Sequence, residues 1–361
     1  MRFETIGFIE WMKTRARTKI DLTRSSVRNF SLKNLNVKRE ELEIFGPNDY
    51  GYPPLLEAVA SRYKVKEENV VTAVGSSHAI FLVCAALIER GDEVLIETPV
   101  YEPLLAVPRA FDAVTKRFER RYDNGYQIDL EKFASLLSPK TKLIVLTNLH
   151  NPTGALLSRR DLRDLVGIAH KSGAQVLIDE IYLEFLEGAE SETSFSTEEN
   201  IIVISSLTKV FGLGGLRCGW ILASSALAKR LRSIIDYINV DGVFIGEQIS
   251  AKIFDQIDSI KDESKETLEK NMSMIANLIR KEEKLSWVEP AGGVVCFPRV
   301  EAGLSGDELA SLLLERYDTS VVPGSFFEKP QHFRMGFGVR PDTLARGLEN
   351  IKKVLGSGLH F

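Results

Sequence analysis

The chain has 361 residues, of which 44% are hydrophobic, with 46 basic and 50 acidic residues giving a formal net charge of -4. That length and apolar content support a large folded core, which excludes a disordered chain. The evenly mixed charge offers no basic surface for nucleic acid and points to small-molecule partners.

The opening "MRFETIGFIEWMKTRARTK" lacks the apolar core and small-residue cleavage pattern of a leader, and no later run reaches the apolar length a bilayer requires. A cytoplasmic protein with no membrane partner is expected. Cys84, Cys218 and Cys296 stand apart in apolar contexts, which gives neither a disulfide framework nor a metal-ligand set and fits a reducing compartment. Residues 1–44 are too short to form a core alone and are expected to pack on the C-terminal part.

From Val70 to about Ala223, β-branched runs alternate with amphipathic stretches: "NVVTAV", a helix from Ser77 to Arg90, "EVLIET", "KLIVLT", a helix from Ser158 to Ser172, "AQVLIDE", "NIIVISS" and "CGWILAS". The alternation implies an α/β fold, with a mainly parallel sheet covered by helices on both faces. Residues 225–282 read as long charged helices. A smaller α+β part follows, with "VVCFPRV", a helix from Ser305 to Tyr317, "TSVVPG", "HFRMGFG" and a helix from Pro341 to Leu355. The expected division is a large domain over 45–257 and a smaller one built from 1–44 and 258–361.

Ligands of open parallel sheets gather beyond the carboxyl ends of the strands. In this chain those positions read "GSSHA" after "NVVTAV", "PVY" after "EVLIET", "NLHNPTG" after "KLIVLT", "DEIY" from the end of "AQVLID" and "SLTK" from the end of "NIIVIS". "GSSHA" has the parts of an anion cradle at a helix start, though an ordinary serine N-cap meets the same description. Asp179 ends a buried strand and needs a cation or strong donor, unless it caps the helix that follows. Tyr182 alone would be plain core, and Lys209 alone a surface lysine. In "SSLTKVFGLGGLRCGW", however, Lys209 and Arg217 leave the core together. A lysine desolvated beside an arginine loses affinity for its proton, from a reference pKa of about 10.4. Glycine spacing rules out nucleotide loops: counted from Gly212, the third glycine of G-x-G-x-x-G falls on Arg217, and no G-x-x-x-x-G-K-[ST] occurs. A lysine, a phosphate-binding arginine and serines, and a strand-end aspartate together suit pyridoxal phosphate.

In "HNPTG", "DEIY", "SLTKVFGLGGLRCG" and "FRMGFG", in that order, the sequence resembles the fold-type I, class I/II pyridoxal-phosphate aminotransferases. The resemblance implies that Lys209 forms the internal Schiff base and shuttles the substrate α-proton, and that Asp179 partners the pyridinium nitrogen. Tyr182 and Asn151 would donate to the cofactor's phenolate oxygen. Ser76, Ser77, Ser206 and Arg217 would bind its phosphate, Tyr101 would stack on its ring, and Arg334 would clamp the substrate carboxylate. It further implies ping-pong exchange between an amino acid and a 2-oxo acid, and a homodimer.

Departures from the family pattern are local. Where the family places a tyrosine that reaches the neighbouring subunit's phosphate, this chain has Gly46, with Phe45 before it and Tyr50 beside Gly51. The form "NPHNPTG" has become "NLHNPTG", and His78 stands where a small residue is usual; it reads either as a polar group near the cofactor or as a helix-surface histidine. Arg24 or Arg28 could read a distal carboxylate, favouring aspartate or glutamate, but the basic stretch around them reads more readily as a solvated face. The same scaffold would serve a β-eliminating C–S lyase with almost every one of these residues, or a non-catalytic binding or regulatory protein, against which the retained Lys209 argues.

Overall fold

The computed structural model describes residues 2–196 and 200–356. The chain begins with helix α1 (Gly7–Thr14) and a two-residue strand β1 (Ile20–Asp21), and after an extended stretch enters α2 (Pro53–Tyr63). The central sheet then builds up from β2 (Val70–Ala73), β3 (Glu93–Thr98), β4 (Val114–Glu119), β5 (Thr141–Thr147), β6 (Gln175–Asp179), β7 (Ile201–Ser206) and β8 (Gly219–Leu222). Between these strands run α3 (Ser76–Leu87), α4 (Glu102–Ala110), α5 (Leu130–Leu136) and α6 (Arg159–Ser172).

The order across the sheet is β2-β8-β7-β6-β5-β3-β4, and only β8 runs against its neighbours. β5, β6 and β7 are apolar almost without interruption, because both of their faces are covered. One face packs Leu95, Ile144, Ile178 and Val203 against α2 and α6, and the other packs Val94, Val145, Leu177 and Ile204 against α3. β4, with the sequence "VTKRFE", lies at the sheet's edge and half in solvent. Its mixed polarity left it out of the expected strands, since an edge strand has no second buried face to advertise. The strands and helices that the sequence predicts here fall within a few residues of those observed, whereas α1, α2, α4 and α5 are additional to them.

The long charged stretch is broken into α7 (Ser225–Ile235), α8 (Phe244–Phe254), α9 (Ile257–Asp262) and α10 (Lys265–Lys281). Beyond it lie the short strands β9 (Leu285–Ser286), β10 (Val295–Cys296) and β11 (Arg299–Val300), then α11 (Gly306–Tyr317), β12 (Thr319–Ser320), β13 (Val322–Pro323), β14 (Phe333–Gly336) and α12 (Pro341–Gly356). A separate core joins Ile275, Leu309, Leu313, Leu344 and Ile351 of these helices. Ile20 and Leu22 belong to that core and β1 pairs in parallel with β12, whereas Leu35, Phe30 and Val37 pack on the main sheet's core. The N-terminal segment is thus shared between the two cores, and residues 22–30 run from one to the other.

Candidate active site

The carboxyl ends of β2, β3, β5, β6 and β7 open on one edge of the sheet. Because β8 is antiparallel, its beginning meets that edge too: Gly219 lies opposite both Ala73 and Ser206. Arg217, two residues earlier, therefore arrives beside the start of α3. Its Nη2 donates to the Val74 carbonyl at 3.1 Å and its Nη1 to the Gly214 carbonyl at 3.4 Å. Gly75, with φ of 79°, passes directly under that guanidinium, where any Cβ would overlap Nη2. Ser76 and Ser77 then open α3, and Ser206 lies buried across the gap with its hydroxyl accepting the Thr208 N–H at 3.2 Å. Backbone donors at a helix start, serine hydroxyls and a guanidinium supplied only with carbonyls make an anion-binding corner.

Deeper along the edge sit groups whose titration is strongly perturbed. Asp179, 4% exposed, accepts the Ile181 N–H at 3.1 Å. Burial raises its pKa to about 7, with the nearby Lys209 pulling the other way. Lys209 follows β7 by three residues; burial, then Arg334 and Arg217, lower its pKa to about 8 against the pull of Asp179. Its Nζ donates to Ser25 Oγ at 3.0 Å. Tyr182 is 2% exposed and its hydroxyl has no hydrogen-bond partner, although Ser25 lies near enough to favour ionisation; burial pushes the phenol up to about 12.

Asn151 and Arg334 form one unit. Arg334, 1% exposed on β14, donates from Nη1 to Asn151 Oδ1 at 3.1 Å and from Nη2 to the Thr23 carbonyl at 3.0 Å, while its Nε has no partner. Since arginine only donates, the Asn151 oxygen must face it and the Asn151 NH2 is left for another acceptor. Phe8 of α1 and Phe327 lie against the guanidinium at 5.2 and 5.0 Å, and Tyr101, at the start of α4, meets Phe8 edge-on at 5.7 Å. Beneath Asn151, its N–H donates to Thr147 Oγ at 2.9 Å, and that hydroxyl and the Thr147 N–H both donate to Glu97 at 2.7 Å. Glu97 is anchored by the fully buried Arg120 at 3.0 Å. His150 donates from Nε2 to the Pro99 carbonyl at 2.9 Å and meets Thr153 at 2.7 Å, tying the "HNPTG" turn to the segment that carries Tyr101.

The structure thus brings Lys209, Asp179, Tyr182, Asn151, Arg334 and Tyr101 together, with Arg217, Ser76 and Ser206 along the same edge, whereas the Ser77 side chain is exposed and lines a groove with Phe81 and Glu102, leaving its backbone N–H to the helix start. His78 accepts the Val74 N–H at its Nδ1 at 3.1 Å, while its buried Nε2 is unpartnered. Arg24 and Arg28 do not join the cluster: both are exposed, and Arg24 pairs with Asp21 at 3.1 Å, as a solvated basic face would. Phe45 and Tyr50 are exposed as well, at 91% and 53%. Ser25, Phe8, Phe327 and the Glu97–Arg120 pair escaped the sequence reading. Nothing in their local pattern marks them, since each reaches the site through contacts distant in the chain.

The family model for aminotransferase class I and II matches residues 24–351. The chain belongs to that family. Its members use pyridoxal phosphate, and the residues present fit that group: an anion corner, an unpartnered phenol and amide for a ring oxygen, a buried carboxylate for a ring nitrogen and a desolvated lysine for an aldehyde. Among relatives, the chain is 29% identical to capreomycidine synthase of Streptomyces vinaceus, covering 96% of this chain and 93% of that one. It is 28% identical to a probable aspartate/prephenate aminotransferase of Aquifex aeolicus, covering 84% and 82%. The fold matches a pyridoxal-phosphate-dependent aminotransferase from Streptococcus suis with a TM-score of 0.91 at 27% identity over 100% of both chains. It matches the pyridoxal-phosphate-dependent cyclase OrfR with a TM-score of 0.90 at 25% identity over 99% of both.

Proposed function

We propose that the protein exchanges an amino group between an L-amino acid and a 2-oxo acid, with Lys209 carrying the substrate's α-proton. The observation that carries this reading is the convergence of Lys209 with Asp179 and Arg334 in a desolvated cluster, where the amine's lowered pKa gives it a substantial neutral fraction near pH 8. When bound, pyridoxal phosphate supplies the electron sink for the pair left behind as the α-proton departs.

The chain's own residues do the rest. Arg217, Ser76, Ser77 and Ser206 would hold the phosphate, and Tyr101 would cover one face of the ring. Asp179 would keep a proton at the ring nitrogen, a task suited to a buried carboxyl whose proton affinity is already raised. Tyr182 and the Asn151 NH2 would donate to the ring oxygen. Arg334, pinned by Asn151 and Thr23, would offer its fork to the substrate carboxylate, and Phe8 and Phe327 would exclude water from that ion pair. Lys209 would take the α-proton and return it one position away. Arg24 and Arg28 stand outside the cluster, so a preference for aspartate or glutamate is supported only by the likeness to the aspartate/prephenate aminotransferase.

A set of exposed apolar side chains, Ile44 at 86%, Phe45 at 91% and Tyr237 at 91% with Val240 and Val243, supports a homodimer, since such side chains seldom stay in water. A panel of amino donors with 2-oxoglutarate, scored for new glutamate, tests the exchange; no glutamate from any donor contradicts it. A second reading, chemistry at the substrate's side chain without net amine exchange, is favoured by the likeness to a cyclase and to capreomycidine synthase. Release of ammonia with an oxo acid, or of a rearranged amino acid, would select it.

A further inference from the structure

One buried hydroxyl beside the reactive lysine has no part in the roles given above. Ser25, 9% exposed, accepts from Lys209 Nζ at 3.0 Å, the one hydrogen bond of that amine among the described residues. Its place is fixed from both sides by the main chain. Toward β14, the Leu22 carbonyl accepts the Gly336 N–H at 2.7 Å and the Thr23 carbonyl accepts Arg334 Nη2 at 3.0 Å. Toward the lysine, the Val27 N–H donates to the carbonyl of Lys209 itself at 3.1 Å, and the Phe30 N–H to that of Gly212 at 3.0 Å. The approach to β14 is so close that a Cβ on Gly336 would overlap the Arg24 carbonyl. Ser25 therefore sits at the middle of a strap stretched between the residue that would clamp the substrate carboxylate and the residue that would carry its proton.

The charged and titratable groups around the amine are Asp179 from β6, Tyr182 just after it, Arg334 from β14, Arg217 ahead of β8 and Tyr101 at α4. Two are cations, which repel a protonated lysine, and the carboxylate attracts it. An ammonium on a flexible four-carbon stem would be drawn toward Asp179 and would spoil both partners. A neutral acceptor at 3.0 Å provides another resting place.

We propose that Ser25 is a catalytic residue whose hydroxyl receives the Lys209 amine while it is free to carry the substrate proton, and keeps it from pairing with Asp179. The proposal rests on the reading of Lys209 as the proton carrier. The substrate's α-proton goes to Nζ, one N–H of the resulting ammonium is donated to Ser25 Oγ, and the serine keeps its own proton throughout.

Apoprotein and loaded enzyme give separate readouts. In the apoprotein, acylation of Lys209 is followed against pH by peptide mass. Ser25→Ala removes an acceptor worth about a factor of ten to a charged donor, so the midpoint for labelling is expected to fall by about one pH unit. In the loaded enzyme the half-reaction with amino acid is expected to slow about tenfold, with KM within about twofold, because the bond serves the proton carrier and not the carboxylate clamp. Ser25→Thr, which restores the hydroxyl, is expected to return both values toward those of the parent. A labelling midpoint in Ser25→Ala that coincides with the parent's overturns the proposal, whatever turnover does. Failure of the parent to transfer an amine to any acceptor would instead remove the aminotransferase reading, and leaves the labelling result to judge Ser25 independently.

Discussion

Tyr182→Phe is expected to stabilise the apoprotein and weaken the cofactor site at the same time. The Tyr182 residue is 2% exposed and, among the described residues, its hydroxyl makes no well-formed hydrogen bond, Ser25 being close by without completing one. Burying an unpaired hydroxyl costs about 1–3 kcal/mol, and phenylalanine removes that cost while keeping the ring in contact with Phe185. Since the change deletes an atom without opening a cavity larger than one oxygen, the packing loss is small, and a net gain of about 1 kcal/mol is expected. For domains of 150–250 residues that corresponds to about 2–4 °C in melting temperature, and somewhat less for a chain of this size. With pyridoxal phosphate present the order should reverse, because the phenol then has an acceptor that phenylalanine cannot serve, and the variant is expected to bind the cofactor several-fold more weakly. Thermal unfolding of both proteins, with and without the cofactor, reads both halves. An apoprotein made less stable by Tyr182→Phe would refute the reasoning, since it would mean that the hydroxyl is satisfied without a ligand.

Gly75→Ala is expected to lower cofactor affinity at least tenfold in an equilibrium titration, because its Cβ would meet the Arg217 guanidinium and its φ of 79° disfavours any side chain. The pH dependence of the apoprotein should carry the mark of Asp179. Its folded pKa of about 7 lies above its unfolded value of about 3.9, so the folded state holds the extra proton and stability falls as pH rises from about 4 to about 7. Asp179→Asn should flatten that fall in urea midpoints measured at pH 5 and pH 7. Arg334→Lys keeps the charge but not the fork, and is expected to raise KM for the amino acid tenfold or more, measured in the half-reaction, with smaller change in cofactor affinity. Tyr237→Asp, on the exposed apolar face, should shift the protein toward monomer in sedimentation at micromolar concentration.

The sheet was legible because β5, β6 and β7 are buried on both faces and announce themselves as unbroken apolar runs, each ending in a polar group at the edge where ligands collect. β4 was not, since an edge strand half in water has a mixed composition. Lys209, Asp179 and Arg217 could be singled out because charge at the end of a buried strand requires a partner. The sequence could not say that β8 runs backwards, although that reversal is what delivers Arg217 to the start of α3. Ser25 and Phe8 were beyond reach for a different reason. Neither is odd in its own neighbourhood, and each matters only because a segment near the N-terminus is laid against β14 and the Lys209 loop. Arg24, read in the sequence as a candidate carboxylate reader, is exposed and pairs with Asp21 three residues earlier, a contact that the local sequence already allowed.

The most direct test of the account is the identity of the side chain that takes up the cofactor. Protein supplied with pyridoxal phosphate, reduced with borohydride and digested should carry the pyridoxyl mass on the peptide containing Lys209, and Lys209→Ala should lose it. An adduct confined to other lysines, or none at all, would contradict the assignment of this site.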